Sequence, residues 1–271
     1  MLALCMILTL CACGKKVEEP VATPEPTEEM IEVPATTEAP VEEAAPAEEA
    51  EEAPAEEEEV AVMSYAEYAA AELDSKVCVE TYVQAHQSWW DNKVTVYSQD
   101  KDGAYFLYNM ACSEEDAAKL VPGTKIKVTG YKSEWAGEVE IVDASFEFVE
   151  GDAFVAEAED VTALLGTDDL INSQNKFVAF KGMTVEKAND DGAAFLYNWD
   201  GSGEEGNDLY FNVSKDGKTY SFVVESYLCG SGTEVYEAVK ALNVGDVIDM
   251  EGFLYWYEGV NPHITSVKAA A

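Results

Sequence analysis

The chain has 271 residues and no arginine, since all 16 of its basic residues are lysines. Arginine is the side chain best suited to bidentate phosphate contacts, and affinity for nucleic acid depends mostly on neutralised phosphates. Against the lysines stand 54 acidic residues, which gives a net charge of −38. Because so acidic a chain repels polyphosphates, the composition disfavours nucleic acid as a partner.

The chain also has few residues of the kinds that build catalytic and metal sites. The two histidines, His86 and His263, lie far apart, and Cys78, Cys112 and Cys229 are scattered. None of them forms a set with the spacing of zinc ligands. There is no Gly-x-Ser-x-Gly elbow and no phosphate-binding Gly-Lys-Ser/Thr loop. We therefore expect no metal, no cofactor and no enzymatic activity.

Two acidic segments resemble calcium loops only in part. The segment from Ser98 to Asn109 begins like an EF-hand loop, but its twelfth residue is Asn109 where that loop needs Glu. Asp102-Gly103 within it is a strong hairpin signal, which explains the segment better. Residues 200–208 could gather carboxylates around a weakly held surface ion.

No apolar run reaches the roughly 20 residues that a membrane-spanning helix needs. The first 14 residues, MLALCMILTLCACG, are apolar and end in Cys13-Gly14. This ending resembles a bacterial lipoprotein signal, which implies cleavage before Cys13, a lipid on Cys13 and an extracytoplasmic protein anchored to the cell membrane. A secretory signal starts with positive charge, but Lys15 and Lys16 follow the cysteine. Either translation begins upstream, or the segment is a short apolar N-terminus without consequence.

Residues 14–62 form an acidic, proline-containing segment with almost no aromatic residues. Between Val17 and Val62 there are 17 Glu and no Asp. Such a segment buries too little apolar surface to offset its ordering entropy, so we expect a disordered linker. Extended at ~3.1 Å per residue, it would reach on the order of 140 Å.

Residues 63–271 have the composition of a folded head. Removing the 17 linker Glu and the two early lysines leaves 37 acidic residues against 14 lysines, a net charge of −23. Three cysteines remain in the head, so at most one disulfide can form. Cys78 with Cys112 is the one pair within a single expected domain, and small buried thiols are the alternative.

A repeat divides the head. The motif at 102–109, DGAYFLYN, recurs at 191–198 as DGAAFLYN, and the segment 120–131 matches 242–253. Two matches in the same order predict a duplicated domain. We place the domains at 63–150 and 151–271, after the signal (1–13) and linker (14–62). Because the segment before the motif is shorter in copy two, the two motifs need not occupy the same strand.

The pattern of copy one predicts three strands, a helix and two further strands. Ser64 and Glu67 predict a capping box ahead of the first strand, and Pro122-Gly123 and Ala136-Gly137 predict turns. Copy two follows the same order from Lys176, with an added hairpin over about 209–225 and a helical link over 160–175. The predicted strands are 77–86, 93–98, 105–110, 124–132 and 138–146 in copy one, with 247–256 and 262–268 in copy two, and the predicted helices are 113–120 and 234–242.

This order resembles the OB-fold, a five-stranded Greek-key barrel, and residues 122–130, PGTKIKVTG, are similar to its fourth strand. The expected fold is therefore mainly β, with two tandem OB-fold-like barrels, each with a short helix. Gly130 and Gly252 would sit where the fourth strand bends. The whole plan resembles cell-surface lipoproteins of anaerobic Gram-positive bacteria.

OB-folds bind ligands on strands 2 and 3, between the loops that join strands 1–2 and 4–5. In copy one, Trp89 and Trp90 fall in the first loop and Trp135 in the second. Flat apolar rings suit sugar faces, and the alternative for each indole is packing inside the barrel. In copy two, Ile248, Met250, Leu254 and Trp256 alternate as core, with Phe253, Tyr255 and Tyr257 on the surface. We expect Tyr255 and Tyr257 to contact the ligand, and we expect His263 to have a structural role.

The ligand-binding prediction thus comprises Trp89, Trp90, Trp135, Tyr255 and Tyr257. We expect a non-catalytic, lipid-anchored binding module for an oligosaccharide, such as a cell-wall glycan, or for an exported protein. The alternatives are a nucleic-acid-binding OB-fold, which the acidity and the absence of arginine disfavour, and a structural subunit of a surface assembly.

Overall fold

The computed structural model describes residues 60–270. The expected signal, Cys13 and nearly all of the linker lie outside these residues. In the described part no helix is long and apolar enough to cross a membrane. The fold is mainly β, with two closed five-stranded barrels, which confirms the expected tandem OB-fold-like architecture.

Barrel one closes in the strand order β1-β2-β3-β5-β4, with β3 and β5 parallel and the other neighbours antiparallel. Its strands alternate, so that Val77, Val79, Thr81 and Val83 of β1 are buried. Its elements are α1 (Tyr65–Ala70), β1 (Lys76–His86), β2 (Lys93–Gln99), β3 (Ala104–Ala111), α2 (Glu114–Ala117), β4 (Lys125–Trp135) and β5 (Glu138–Phe148).

Helix α1 begins and ends as its sequence dictates. The Ser64 hydroxyl accepts from the Glu67 backbone N–H, and the Glu67 carboxylate accepts from the Ser64 N–H at 2.8 Å, which confirms the capping box. At the other end, the Lys132 ammonium donates to the carbonyls of Tyr68, Ala69 and Ala71. This buried lysine satisfies carbonyls that the end of a helix leaves unpaired.

Barrel two closes through β7-β11-β12-β10-β9, because β9 pairs with β7 at Val185 and Val213. The link from barrel one consists of two 3₁₀ segments, Thr162–Leu164 and Asp168–Ser173, rather than an α helix. The remaining elements are β6 (Glu159–Asp160), β7 (Phe177–Glu186), β8 (Phe195–Tyr197), β9 (Leu209–Lys215), β10 (Lys218–Val224), α3 (Glu234–Lys240), β11 (Val247–Phe253) and β12 (His263–Ala269).

The second and third strands of barrel two are not the ones that the sequence analysis predicted. The hairpin β9–β10, expected as an addition, supplies these two strands and pairs from Leu209 with Val224 to Lys215 with Lys218. The second copy of the DGAxFLYN motif lies instead on β8, an edge strand outside the ring. The motif in barrel one lies on β3, so the two copies occupy non-equivalent strands. The downstream match is equivalent, since it covers β4 and β11.

The two glycines of that downstream match, predicted to lie where the fourth strand bends, lie at breaks in the strand register. The pairing of β4 with β5 shifts between Thr129 and Tyr131, and that of β11 with β12 shifts at Gly252. A Cβ on Gly252 would lie 2.3 Å from the His263 carbonyl oxygen. The close approach of two backbones therefore requires glycine there.

The three cysteines of the head are free thiols. Cys78 and Cys112 are buried, and Cys229 is half-buried against the core of barrel two. Of the two alternatives that the sequence left open, the structure has buried thiols and no Cys78–Cys112 disulfide.

Candidate functional site

The outer face of β2 and β3 in barrel one is packed against barrel two. Tyr97 and Phe106 point outward from these strands, yet they are buried in a cluster with Phe253 of β11. The Tyr97 and Phe253 rings stack with centroids 4.5 Å apart. Phe253, expected on the surface, is thus on the outer face of its barrel but covered. Much of the face that an OB-fold uses for ligands is therefore an internal interface in barrel one.

A second contact joins the β4–β5 turn of barrel one to the turn between β11 and β12 of barrel two. The turn of barrel one consists of Ala136 and Gly137, both with positive φ, and Trp135 is the last residue of β4 rather than part of a loop. The Glu258 N–H donates to the Ala136 carbonyl at 2.7 Å. This contact brings Trp135 against Tyr257, with ring centroids 5.1 Å apart.

Behind these turns lies a buried carboxylate. Glu138 is fully buried, and its Oε2 accepts from the Trp256 N–H at 2.9 Å and from Gln174 Nε2 at 3.2 Å. Its Oε1 has no partner among the described residues. Burial raises the pKa of Glu138 to about 8, because the charged form loses its hydration. The junction therefore contains a carboxyl group that is largely neutral at pH 7.

Where the two turns meet, a groove of about 710 Å³ opens over the outer face of β9 and β10. We call it the main groove. It is predominantly aromatic, and none of the described residues that line it carries a formal charge at neutral pH. Its lining residues are Trp135, Trp199, Tyr210, Ser221, Tyr255, Tyr257, Asn261 and His263.

Three rings of the main groove face solvent. Trp135 is 54% exposed, Trp199 76% and Tyr257 47%. Trp199 follows the second copy of the repeated motif, in the loop between β8 and β9. Because water contacts large apolar surfaces at a free-energy cost, converging exposed rings mark a binding surface.

The polar side chain at the base of the groove is His263. It is 7% exposed, and its ring stacks on that of Tyr255 with centroids 4.3 Å apart. Burial lowers the pKa of His263 to about 3, so the ring is neutral. Its Nδ1 is hydrogen-bonded to the Tyr97 hydroxyl, which also accepts from Gln87 Nε2. We assign the imidazole proton to Nε2, which can then donate to a ligand.

Trp89 and Trp90 lie away from the main groove. Trp89 packs against the core of barrel one, and its indole N–H donates to the Cys112 carbonyl at 2.9 Å. Trp90 precedes the tight turn Asp91-Asn92, where both residues have positive φ, and it is 79% exposed. The structure thus brings Trp135, Tyr255 and Tyr257 together and separates the three indoles that the sequence placed at one cleft.

Trp90 borders a second groove of about 440 Å³ on barrel one, which we call the side groove. It occupies the part of the β2–β3 face that barrel two leaves open. Tyr227 of barrel two forms one wall, and the Ser88 N–H donates to its carbonyl at 2.8 Å. The lining residues are Gln87, Ser88, Trp90, Lys93, Val94, Thr95, Tyr108, Asn109 and Tyr227.

Several groove residues were missed by the sequence analysis. Trp199, Tyr210 and Ser221 lie on the segment that was read as an added hairpin and its approach. The position of Trp199 directly after the repeated motif could have identified it as a site residue. No local sequence pattern indicated such a role for Tyr108 or Tyr227.

The acidic segment that begins like an EF-hand loop has a structural role instead. Asp100 Oδ1 accepts from the backbone N–H groups of Asp102 and Gly103, which closes the β2–β3 turn. Within residues 60–270, no group of three or more His, Cys, Asp or Glu side chains is placed to hold a metal ion.

Neither the protein-family models nor the curated proteins include a match to this chain. Solved structures with a similar fold include a murine DNA-binding protein bound to double-stranded DNA, with 12% identity over 72% of this chain and 96% of that one and a TM-score of 0.35. The HINa domain of Ifi202 in complex with double-stranded DNA matches at 11% identity over 73% of this chain and 100% of that one, with a TM-score of 0.33. A replication protein A heterotrimer bound to single-stranded DNA matches at 9% identity over 72% of this chain and 49% of that one, with a TM-score of 0.29. At these identities and TM-scores, the similarities carry no argument about the ligand of this chain.

Proposed function

We propose that this chain is a non-catalytic, extracytoplasmic binding protein whose main groove holds an oligosaccharide of a cell-wall glycan. The observation that carries the proposal is the convergence of Trp135, Trp199 and Tyr257, all exposed, on one groove. Rings of this kind offer flat apolar surfaces that suit the apolar faces of sugar rings.

The polar groups of the main groove suit hydroxyl groups better than charged ones. Ser221, Asn261 and the neutral His263 supply donors and acceptors, while no Asp, Glu or Lys of the described chain lines the groove. A few polar groups set among apolar walls are typical of sites that orient a neutral ligand. The described lining residues include no carboxylate pair, which supports a binding role without catalysis.

The alternative ligand, a nucleic acid, has less support. Aromatic rings can stack on bases, but binding sites for single strands combine such rings with a positively charged groove. Among residues 60–270, no lysine lines the main groove, and the head has a net charge of −23, with 37 acidic residues against 14 lysines. An exported protein partner remains the second class of ligand to test.

For the N-terminal part, we propose a lipid on Cys13 and a linker that carries the head away from the membrane. The support is the apolar segment that ends in Cys13-Gly14 and the Glu-rich composition of residues 14–62. An extended spacer on the order of 140 Å suits a head whose ligand belongs to the wall.

The test is co-sedimentation of the full chain, purified in a mild detergent, with insoluble cell-wall polysaccharide. The Trp135→Ala and Trp199→Ala variants are compared with Tyr131→Ala, which removes an exposed ring outside both grooves. We expect the wild type and Tyr131→Ala to pellet with the polysaccharide, and both tryptophan variants to remain largely in solution. If the tryptophan variants pellet like the wild type, the main groove is not the site. If the wild type does not pellet, the glycan proposal is wrong and a protein partner becomes the better candidate.

A further inference from the structure

The side groove has the same chemical character as the main groove. Trp90, Tyr108 and Tyr227 are exposed rings in its lining, and Lys93 is its one charged side chain among the described residues. The backbone of Trp90 pairs with that of Lys93 in both directions, at 3.0 and 2.9 Å. The backbone of Trp90 is therefore fixed at the end of a two-residue turn, which limits the positions that its indole can take.

The buried ring of Phe106 lies between an aromatic residue of the side groove and one of the main groove. The centroid of Phe106 lies 6.4 Å from that of Tyr108, which lines the side groove. It also lies 5.2 Å from the centroid of Tyr255, which lines the main groove. Tyr108, Phe106 and Tyr255 thus form a row of rings that runs across the junction of the barrels.

Both grooves depend on the contact between the barrels. The side groove needs Tyr227 of barrel two as a wall, and the main groove needs Trp135 of barrel one. Docking of the two barrels therefore fixes the distance and orientation of one groove relative to the other. Two rigidly spaced sites can hold one extended ligand without a further entropy cost for aligning them.

We propose that the two grooves bind one linear glycan chain that crosses the Tyr108–Phe106–Tyr255 row, so that the ligand is a polymer rather than a single short sugar. This inference rests on the proposed function. A fragment too short to reach both grooves gains only the contacts of one. A longer fragment gains the second set intramolecularly, so its affinity is higher.

The test uses fragments of the same cell-wall polysaccharide, cut with a muramidase and separated by length. Binding to the full chain in detergent is measured for the wild type, Trp90→Ala and the matched control Tyr131→Ala. Trp90 is mostly exposed, so its truncation leaves the core intact, and a thermal melt of each variant checks this. A Tyr108→Ser variant tests the row independently.

For the wild type and Tyr131→Ala, we expect affinity to rise at least about tenfold once the fragments exceed the length of one groove. In Trp90→Ala and Tyr108→Ser this rise should be lost, because only the main groove is then left intact to hold the fragment. Longer fragments also offer more binding registers, but that statistical gain persists in the variants and is removed by comparing them with the wild type at each length.

Three outcomes separate this inference from the proposal beneath it. A rise with length that disappears in Trp90→Ala supports the extended site. If short and long fragments bind equally, or if Trp90→Ala binds long fragments like the wild type, the extended site is wrong while glycan binding stands. If even the intact polysaccharide fails to bind, the proposed function is wrong and the extended site falls with it.

Discussion

The hydroxyl of Tyr97, on β2 of barrel one, is hydrogen-bonded to Nδ1 of His263, the first residue of β12 in barrel two. Both side chains are buried, and both belong to the contact between the barrels. His263 also lines the main groove, so this bond links the docking of the barrels to the shape of the site. Changes at this pair should therefore affect both the stability of the head and the shape of the main groove.

Replacing Tyr97 by Phe should destabilise the head by about 1–3 kcal/mol, because the buried Nδ1 of His263 loses its partner. Denaturant unfolding of the variant measures this. Tyr131→Phe is the control, since it removes an exposed hydroxyl and should change the free energy of unfolding by less than about 0.5 kcal/mol. Equal stabilities for wild type and Tyr97→Phe would show that the bond contributes nothing net.

The buried Glu138 predicts a loss of stability with rising pH. Its pKa is about 8 in the folded protein against 4.5 in the absence of burial, so the unfolded chain releases this proton first. The contribution is fully present below pH 4.5 and is lost as the pH rises to about 8, at a slope of up to about 1.4 kcal/mol per pH unit. Glu138→Gln imitates the neutral form and should flatten this slope.

The comparison of wild type with Glu138→Gln is best made between pH 6.5 and 9. Neutral His263 adds its own dependence at lower pH, and Glu225, whose pKa burial raises to about 7, is common to both proteins. A difference between the two proteins that does not grow over this window would mean that Glu138 is already ionised.

Replacing Gly252 by Ala should destabilise barrel two by about 1–3 kcal/mol. The added methyl group would lie 2.3 Å from a carbonyl oxygen and 2.8 Å from the Cα of Ile264, so backbone must move. Gly151→Ala is the matched control, since the nearest atom to its Cβ is 3.6 Å away on a lysine side chain. Thermal unfolding of the two variants should separate them clearly, and an equal midpoint would show that β11 and β12 are free to move apart.

Binding of cell-wall polysaccharide should depend little on salt. Lys93 is the only charged side chain among the described residues that line either groove. A ligand held through about 6–10 phosphate contacts would lose about 10³–10⁵-fold in affinity between about 50 and 200 mM salt, whereas we expect a change of less than about threefold. Titration at the two salt concentrations measures this, and a steep loss would favour a polyanionic ligand.

Replacement of Cys13 by Ser should release the protein from the membrane fraction and abolish its labelling by a radioactive fatty acid, because the thiol that would carry the lipid is removed. Cys11→Ser is the control, because Cys11 would be cleaved away with the signal, and this variant should be labelled like the wild type. Labelling of Cys13→Ser at the wild-type level would contradict the proposed anchor.

Local signals predicted most of the strands and turns. Serine before a short helix, Asp-Gly between two strands and alternating valines act within a few residues, so Ser64, Asp102 and β1 could be read directly. The strands of barrel two were harder, because the motif at 191–198 repeats the letters of β3 yet pairs at an edge as β8. The pairing of strands in a closed barrel depends on partners that are distant in sequence, and a local pattern does not identify these partners.

The candidate site shows the same division. Alternation along β11 correctly placed Phe253 on the outer face of its barrel, but it could not show that Tyr97 of the other barrel covers this residue. Nor could it show that Trp89 packs inward while Trp90, the next residue, projects into solvent. Adjacent indoles look alike in sequence, and only the turn at Asp91-Asn92 distinguishes them.

By itself, the sequence determined the composition that disfavours polyphosphates, the plan of two five-stranded barrels and half of the aromatic residues that line the two grooves. The tertiary structure alone decided which of these residues meet. The reason is physical: the period of a strand states which face a side chain occupies, whereas the partner of that face depends on how the barrels dock. The docking buries Tyr97, Phe106 and Phe253 and leaves Trp135 and Tyr257 in a groove that neither barrel could form alone.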